Sequence, residues 1–166
     1  MPISRRTTYR HVRGPAAGLV AILVLALLAQ ARPASALLDH GGRHHRTREE
    51  RVAAVLKAAR SARGVPYRYG GTSPRGGFDC SGFTRWAWAH GGRNLPHNSG
   101  AQFGAVRWHV KRRRLQPGDL LFFYSPISHV GLYLGHGRMI DAEHTGTRIH
   151  IHTVFWQYFT AAARPA

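Results

Sequence analysis

The hydrophobic pattern of this chain changes period near its middle, and that change restricts the fold more than any other feature. Between residues 47 and 90 the apolar side chains recur at three- and four-residue steps, whereas from residue 119 they alternate or run in short blocks bounded by glycine and proline. In the first part, Thr47 and Glu50 have the spacing of a capping box, and Val52, Val55, Leu56 and Ala59 follow on one helical face before Gly64 ends the run. Residues 65–77 are punctuated by Pro66, Gly70, Gly71, Pro74, Gly76 and Gly77 and predict a shaped loop. A second helix is expected over residues 81–90, with Phe83, Trp86, Ala87 and His90 on one face, Asp79 as its cap and Gly91-Gly92 as its stop. A short helix is expected from Ser99.

Beyond Pro117-Gly118 the pattern predicts strands over residues 119–124, 129–134, 138–143 and 148–155, the middle two joined through Gly135-His136-Gly137. Helices followed by strands indicate an α+β fold with an antiparallel sheet. A three-residue turn fixes the hairpin register. It places Val130, Leu132, Leu134, Ile140 and Ala142 on a face suited to packing on the helices, and His129, Gly131, Tyr133, Met139 and Asp141 on the other. Gly131 then lies opposite Asp141, and its missing side chain leaves room for His129 to lean diagonally toward the carboxylate. A two-residue turn would put Asp141 on the wrong face, so the pairing depends on the turn.

The chain has one cysteine, Cys80, directly after Asp79 at the expected helix start. Unpaired N–H groups and the positive end of the helix dipole favour a thiolate there. A helix-start thiol, an imidazole and an orienting carboxylate are the components of cysteine acyl-transfer chemistry, with Cys80, His129 and Asp141 as the candidates. The competing reading is that Cys80 is a small packing residue and the His–Asp pair a coincidence among twelve histidines. His150 and His152 share a strand face, but two histidines without further ligands fall short of a metal site. The tryptophans at 86, 88, 108 and 156 are expected in the core or as groove walls.

Arg5, Arg6, Arg10 and Arg13 precede an apolar run over residues 18–28 and the small residues Ala34-Ser35-Ala36, the pattern of a secretory signal cleaved near Ala36. An uncleaved anchor is the alternative; both place the domain outside the cytoplasm, secreted or associated with the envelope. Residues 37–46, rich in Gly and His, are expected to form a flexible tail, and residues 47–166 one compact domain. With a single cysteine the domain has no internal disulfide and depends on an apolar core. Of 24 basic and 7 acidic residues, five arginines and no acid lie in the first 36, leaving 19 against 7, a formal +12. Such a surface is drawn to polyanions; the export signal favours an anionic cell envelope over nucleic acid. The densest run, residues 111–114, is short enough to be a solvated loop.

Five ordered segments, Pro66-Tyr67-Arg68-Tyr69-Gly70-Gly71, Asp79-Cys80-Ser81-Gly82-Phe83, Leu95-Pro96, Pro117-Gly118-Asp119-Leu120 and His129-Val130-Gly131 through Gly135, resemble the successive motifs of the NlpC/P60 cell-wall cysteine peptidases. The resemblance covers about residues 50–160 and implies a small papain-like α+β domain. It implies Cys80 as nucleophile, His129 as general base and Asp141 at the third position, where His is commoner. It also implies Tyr67 beside the oxyanion, and Asp79 and Ser81 at the free amine of a stem peptide's L-alanine. A plain helix cap at Asp79 and a core role for Tyr67 are the alternatives. Tyr69 stands where Trp is frequent. The implied activity is hydrolysis of peptidoglycan stem peptides between γ-D-glutamyl and diaminopimelate or lysine, with no cofactor and no metal. A related amidase or acyltransferase on the same scaffold, or a noncatalytic basic envelope-binding module, remains the competing function.

Overall fold

The computed structural model describes residues 46–165; the expected signal segment and most of the expected tail lie outside the described residues. Helix α1 (Arg48–Ser61) starts at the expected capping box: the Glu50 N–H donates to Thr47 Oγ1 at 3.2 Å, and the Thr47 N–H donates to Glu50 Oε2 at 2.8 Å. Helix α2 (Cys80–His90) is capped by Asp79, and α3 (Ser99–Ala105) by Asn98. The loop before α2 contains a two-residue hairpin, β1 (Thr72–Ser73) with β2 (Gly77–Phe78), too short to leave a periodic signal in the sequence. No helix among the described residues is long and apolar enough to cross a membrane.

A five-stranded antiparallel sheet follows, built from β3 (Leu120–Phe123), β4 (His129–Gly135), β5 (Arg138–Asp141), β6 (His150–Thr153) and β7 (Phe159–Ala163) in the order β6-β5-β4-β3-β7. The strand expected over residues 148–155 is shorter, because Arg148 bridges Pro66 instead of extending the β5–β6 ladder. Strand β7 was not expected: Thr160-Ala161-Ala162-Ala163 has no alternation to mark it, and its place comes from pairing with β3.

The hairpin register is the one the three-residue turn predicts. Leu132 pairs with Ile140 and Tyr133 with Met139, and the ladder is irregular only beside the turn. One sheet face joins Val130, Leu132, Ile140 and Ala142 to Val55, Ala59, Phe83, Ala87 and Trp88 of the helices. The opposite face carries a second cluster of Leu121, Phe123, Tyr133, Met139, Val154 and Ala162, packed beneath Val110, Leu115, Phe155, Trp156 and Phe159. Hence all four residues of β3 are buried, which explains why Leu-Leu-Phe-Phe runs without a polar alternate. Each such burial contributes about 2 kcal/mol.

Two further contacts fix the frame around the cysteine. A Cβ at position 82 would lie 2.0 Å from the Gly71 carbonyl oxygen, so the loop can rest on the first turn of α2 only because Gly82 has no side chain. At the far end of the sheet, the fully buried Asp119 accepts from Arg164 Nε at 2.7 Å and Nη2 at 2.8 Å, and from the Gln116 N–H at 2.7 Å. This fork ties the end of β7 to the start of β3. Asp119→Ala should therefore leave a buried guanidinium without its counter-charge and cost about 3 kcal/mol in urea unfolding, whereas Asp119→Ala with Arg164→Met should recover most of that loss.

Candidate active site

Each half of the site is built by a different layer of the fold. Asp79 holds the helix half: Oδ1 accepts from the Gly82 N–H at 2.7 Å and from Ser81 Oγ at 3.0 Å, and Oδ2 accepts from the Gly70 N–H at 3.0 Å. One carboxylate thus caps α2 and ties the glycine loop to it, fixing the residue between, Cys80, at the first helical position. The thiol is free and half-buried. Below the first turn, the buried Gln102 amide donates to the Ser81 and Pro96 carbonyls at 2.9 Å each, and Thr84 Oγ1 donates to Gln102 Oε1 at 2.8 Å. The helix start cannot shift without breaking this network.

The sheet supplies the other half. Asp141 is fully buried, and the Nε2–H of His129 donates to its Oδ2 at 2.7 Å. A carboxylate only accepts, so the contact assigns the proton to Nε2 and leaves Nδ1 as the ring's remaining acceptor, and Cys80 lies near enough to act on the imidazole. Phe123 packs beside the imidazole with ring centroids 5.7 Å apart. The diagonal reach rests on Gly131 as expected: a Cβ there would approach Asp141 Cβ to 3.3 Å and overlap the Met139 methyl.

The electrostatics follow from this geometry. Burial works against a charged His129, but the hydrogen bond to Asp141, the neighbouring Cys80 and the fields of both groups outweigh it, raising its pKa from 6.5 to about 9. Burial likewise opposes the Asp141 carboxylate, yet the hydrogen bonds from His129 and His152 hold its pKa below the ordinary range. The His129 contribution to stability is therefore complete below pH 6.5 and lost as pH rises through about 9, while that of Asp141 is present above its ordinary range and lost as pH falls through its lowered value. Burial, then the negative neighbours Cys80 and Asp79, raise the Tyr67 pKa and keep its phenol protonated.

Cys80 opens into a groove of about 450 Å³ whose walls include Tyr67, Tyr69, Asp79, Ser81, His97 and Ser128. Of the six candidate residues, Cys80, Tyr67, Asp79 and Ser81 line this groove, while His129 and Asp141 form the buried pair that acts on Cys80; Asp79 serves as helix cap in addition to facing the groove. Two neighbours were not expected at this site. His97 Nε2 bonds Asp79 Oδ2 at 2.8 Å from the loop before α3, and His152 Nε2 bonds Asp141 Oδ1 at 3.0 Å from β6. A larger concavity of about 540 Å³ lies elsewhere, walled by Trp108, Lys111, Arg113, Arg114 and Arg164. It holds no nucleophile. Trp108 is 59% exposed and Trp88 buried, so the tryptophans divide between surface and core.

His129 gives a direct test of this arrangement. Its imidazole should titrate by NMR with a midpoint near 9, and Asp141→Asn should return the midpoint toward 6.5, because burial then acts without its main opponent.

Comparison with known proteins agrees with the geometry. Residues 64–164 match the model of the NlpC/P60 family. A probable endopeptidase of Corynebacterium glutamicum is 41% identical over 111 residues, covering 67% of this chain and 52% of that protein, so the chain spans about half the length of this relative. The peptidoglycan hydrolase RipB of Mycobacterium tuberculosis superimposes with a TM-score of 0.64 at 35% identity, covering 70% of this chain and 65% of that one. The P60 domain of an antigen from M. avium subspecies paratuberculosis gives a TM-score of 0.64 at 32% identity, covering 70% and 95%. With most of the described fold, and the segment from Tyr67 to His152 that carries the site, inside the matched region, this chain belongs to the NlpC/P60 family.

Proposed function

We propose that the domain is a secreted cysteine endopeptidase that hydrolyses amide bonds in peptidoglycan stem peptides. The observation that carries this reading is the buried His129–Asp141 pair acting on Cys80, whose thiol opens into the groove, with the three residues on different rigid elements. His129 Nδ1 takes, or at neutral pH already holds, the thiol proton, and the sulfur attacks the scissile carbonyl carbon. The carbonyl oxygen becomes an oxyanion beside the Cys80 N–H, which has no partner within the helix, and the Tyr67 hydroxyl; a donor of this kind contributes about 3 kcal/mol. The C–N bond then breaks as the imidazolium protonates the leaving amine, giving a Cys80 thioester. Water, deprotonated by His129, attacks that thioester and releases the carboxylate product and the thiol. Asp141 holds the Nε2–H tautomer throughout.

By family resemblance, Asp79 and Ser81, which line the groove, would receive the free amine of a stem peptide's L-alanine. Since His97 already bonds Asp79 Oδ2, a substrate ammonium would share or take over that acceptor. The favoured scissile bond, by family resemblance, joins γ-D-glutamyl to diaminopimelate or lysine. Export by the N-terminal segment would bring the domain to this substrate, and the basic surface would hold it there: Lys111, Arg113 and Arg114 are exposed around the second concavity and none forms a salt bridge among the described residues.

Purified protein should shorten defined muropeptides, with the new amine and carboxyl termini identified by mass spectrometry, and Cys80→Ala should lower the rate at least about 1000-fold. Unchanged substrate with the unsubstituted protein would remove the peptidase reading, and transfer products in place of hydrolysis would favour an acyltransferase. Retention on purified cell walls should fall between about 0.1 M and about 1 M salt, as the screening length drops from ~10 to ~3 Å. Salt-independent retention would exclude electrostatic attachment.

A further inference from the structure

Asp141 has two oxygens, and the mechanism above uses only one. Its direct cross-strand neighbours on this face are Gly131 of β4 and His150 of β6, yet neither supplies the bonds it accepts. Both come from one step along the flanking strands: from His129 to Oδ2 at 2.7 Å and from His152 to Oδ1 at 3.0 Å. The carboxylate is therefore clamped from opposite sides by two imidazoles.

The second imidazole is unusual in its own bonding. Nε2 of His152 faces the Asp141 carboxylate at 3.0 Å, and Nδ1 faces the Thr153 backbone carbonyl at 2.8 Å. Both partners are pure acceptors, so each ring nitrogen must carry a hydrogen to bond. A neutral ring has only one N–H and would set a lone pair against an oxygen on its other side. The imidazolium alone satisfies both contacts. Phe155 stacks on the ring at 4.5 Å between centroids, and the side chain is 14% exposed, so the ring is held in place.

We propose that His152, as an imidazolium, is a positioning residue for the Cys80–His129 pair: it occupies Oδ1 of Asp141, leaves only Oδ2 to His129, and offsets part of the carboxylate's charge. This rests on the peptidase reading only for its consequence in turnover. The charged and titratable groups around His152 are Asp141 and Arg138 of β5, Glu143 just beyond that strand, His150 on β6 at 4.7 Å between rings, and His129 of β4 behind the carboxylate. Burial disfavours the His152 cation, but the hydrogen bond to and field of Asp141, with a smaller contribution from Glu143, raise its pKa, in agreement with the bonding pattern. Without His152, an unshared Asp141 would stabilise the His129 imidazolium more strongly and make it a weaker acid toward a leaving amine.

The test compares His152→Gln, which can still donate to Oδ1 but carries no charge, with His152→Ala, which does neither. NMR titration of His129, together with the pH dependence of Cys80 alkylation by iodoacetamide, reads the effect without any substrate. His152→Gln should raise the His129 midpoint by about one pH unit with thermal unfolding unchanged. His152→Ala should also broaden or shift the Nε2–H resonance as Asp141 loses its second anchor. A His129 midpoint and alkylation profile identical to those of the unsubstituted protein in both variants would overturn the proposal, even if His152→Ala unfolds at lower temperature. Because these measurements need no turnover, they separate failure of this proposal from failure of the peptidase assignment, which the muropeptide digest decides on its own.

Discussion

A fully buried carboxylate is costly unless donors replace the water it has lost, and Asp141 meets that condition with hydrogen bonds from histidines on both neighbouring strands. Three strands, β4, β5 and β6, must therefore be in register for the charge to be tolerated. The requirement runs both ways. The sheet positions His129, and His129 with its partners favours correct pairing, because a one-residue slip would turn Asp141 onto the helix-packed face. Gly131 belongs to the same constraint, since the open space opposite Asp141 admits the diagonal His129–Asp141 bond.

Cys80 is fixed by a separate device. Asp79 uses four hydrogen bonds to join the glycine loop, the first turn of α2 and His97 into one unit, and the close approach of Gly71 to Gly82 leaves that unit little freedom. Helix α2 then packs through Phe83, Ala87 and Trp88 onto the sheet face that β4 shares. Cys80 and His129 are consequently brought near one another because two rigid bodies dock through an apolar core, without a disulfide. The strongest ion pair outside the site, Asp119 with Arg164, lies at the far end of β3 and β7 and secures the frame without touching the groove.

Much of this was legible because local chemistry and tertiary packing agree. Thr47 and Glu50 mark the start of α1, Asp79 that of α2, and Gly135-His136-Gly137 fixes the register that brings His129 to Asp141. What escaped was local sequence without a signature. The alanines of β7 are strand only because β3 lies beside them, and the hairpin at residues 72–78 is too short for any period. The His150–His152 repeat was visible as a same-face pair, but not the partner of His152, because the β5–β6 register depends on a connection whose conformation the sequence does not announce.

The sequence by itself determined the order of the three helices and of strands β3 to β6, the capped helix start that carries the only cysteine, and the pairing of one histidine with one acid, from capping, periodicity and turn signals read locally. Only the tertiary structure decided that His129 lies near Cys80, whose thiol opens into a groove, that His97 shares the capping carboxylate, and that His152 holds the second oxygen of Asp141. Those contacts join segments far apart in the chain or strands whose register is set elsewhere. Periodicity and capping act over one or two turns, whereas convergence is set by how whole layers pack.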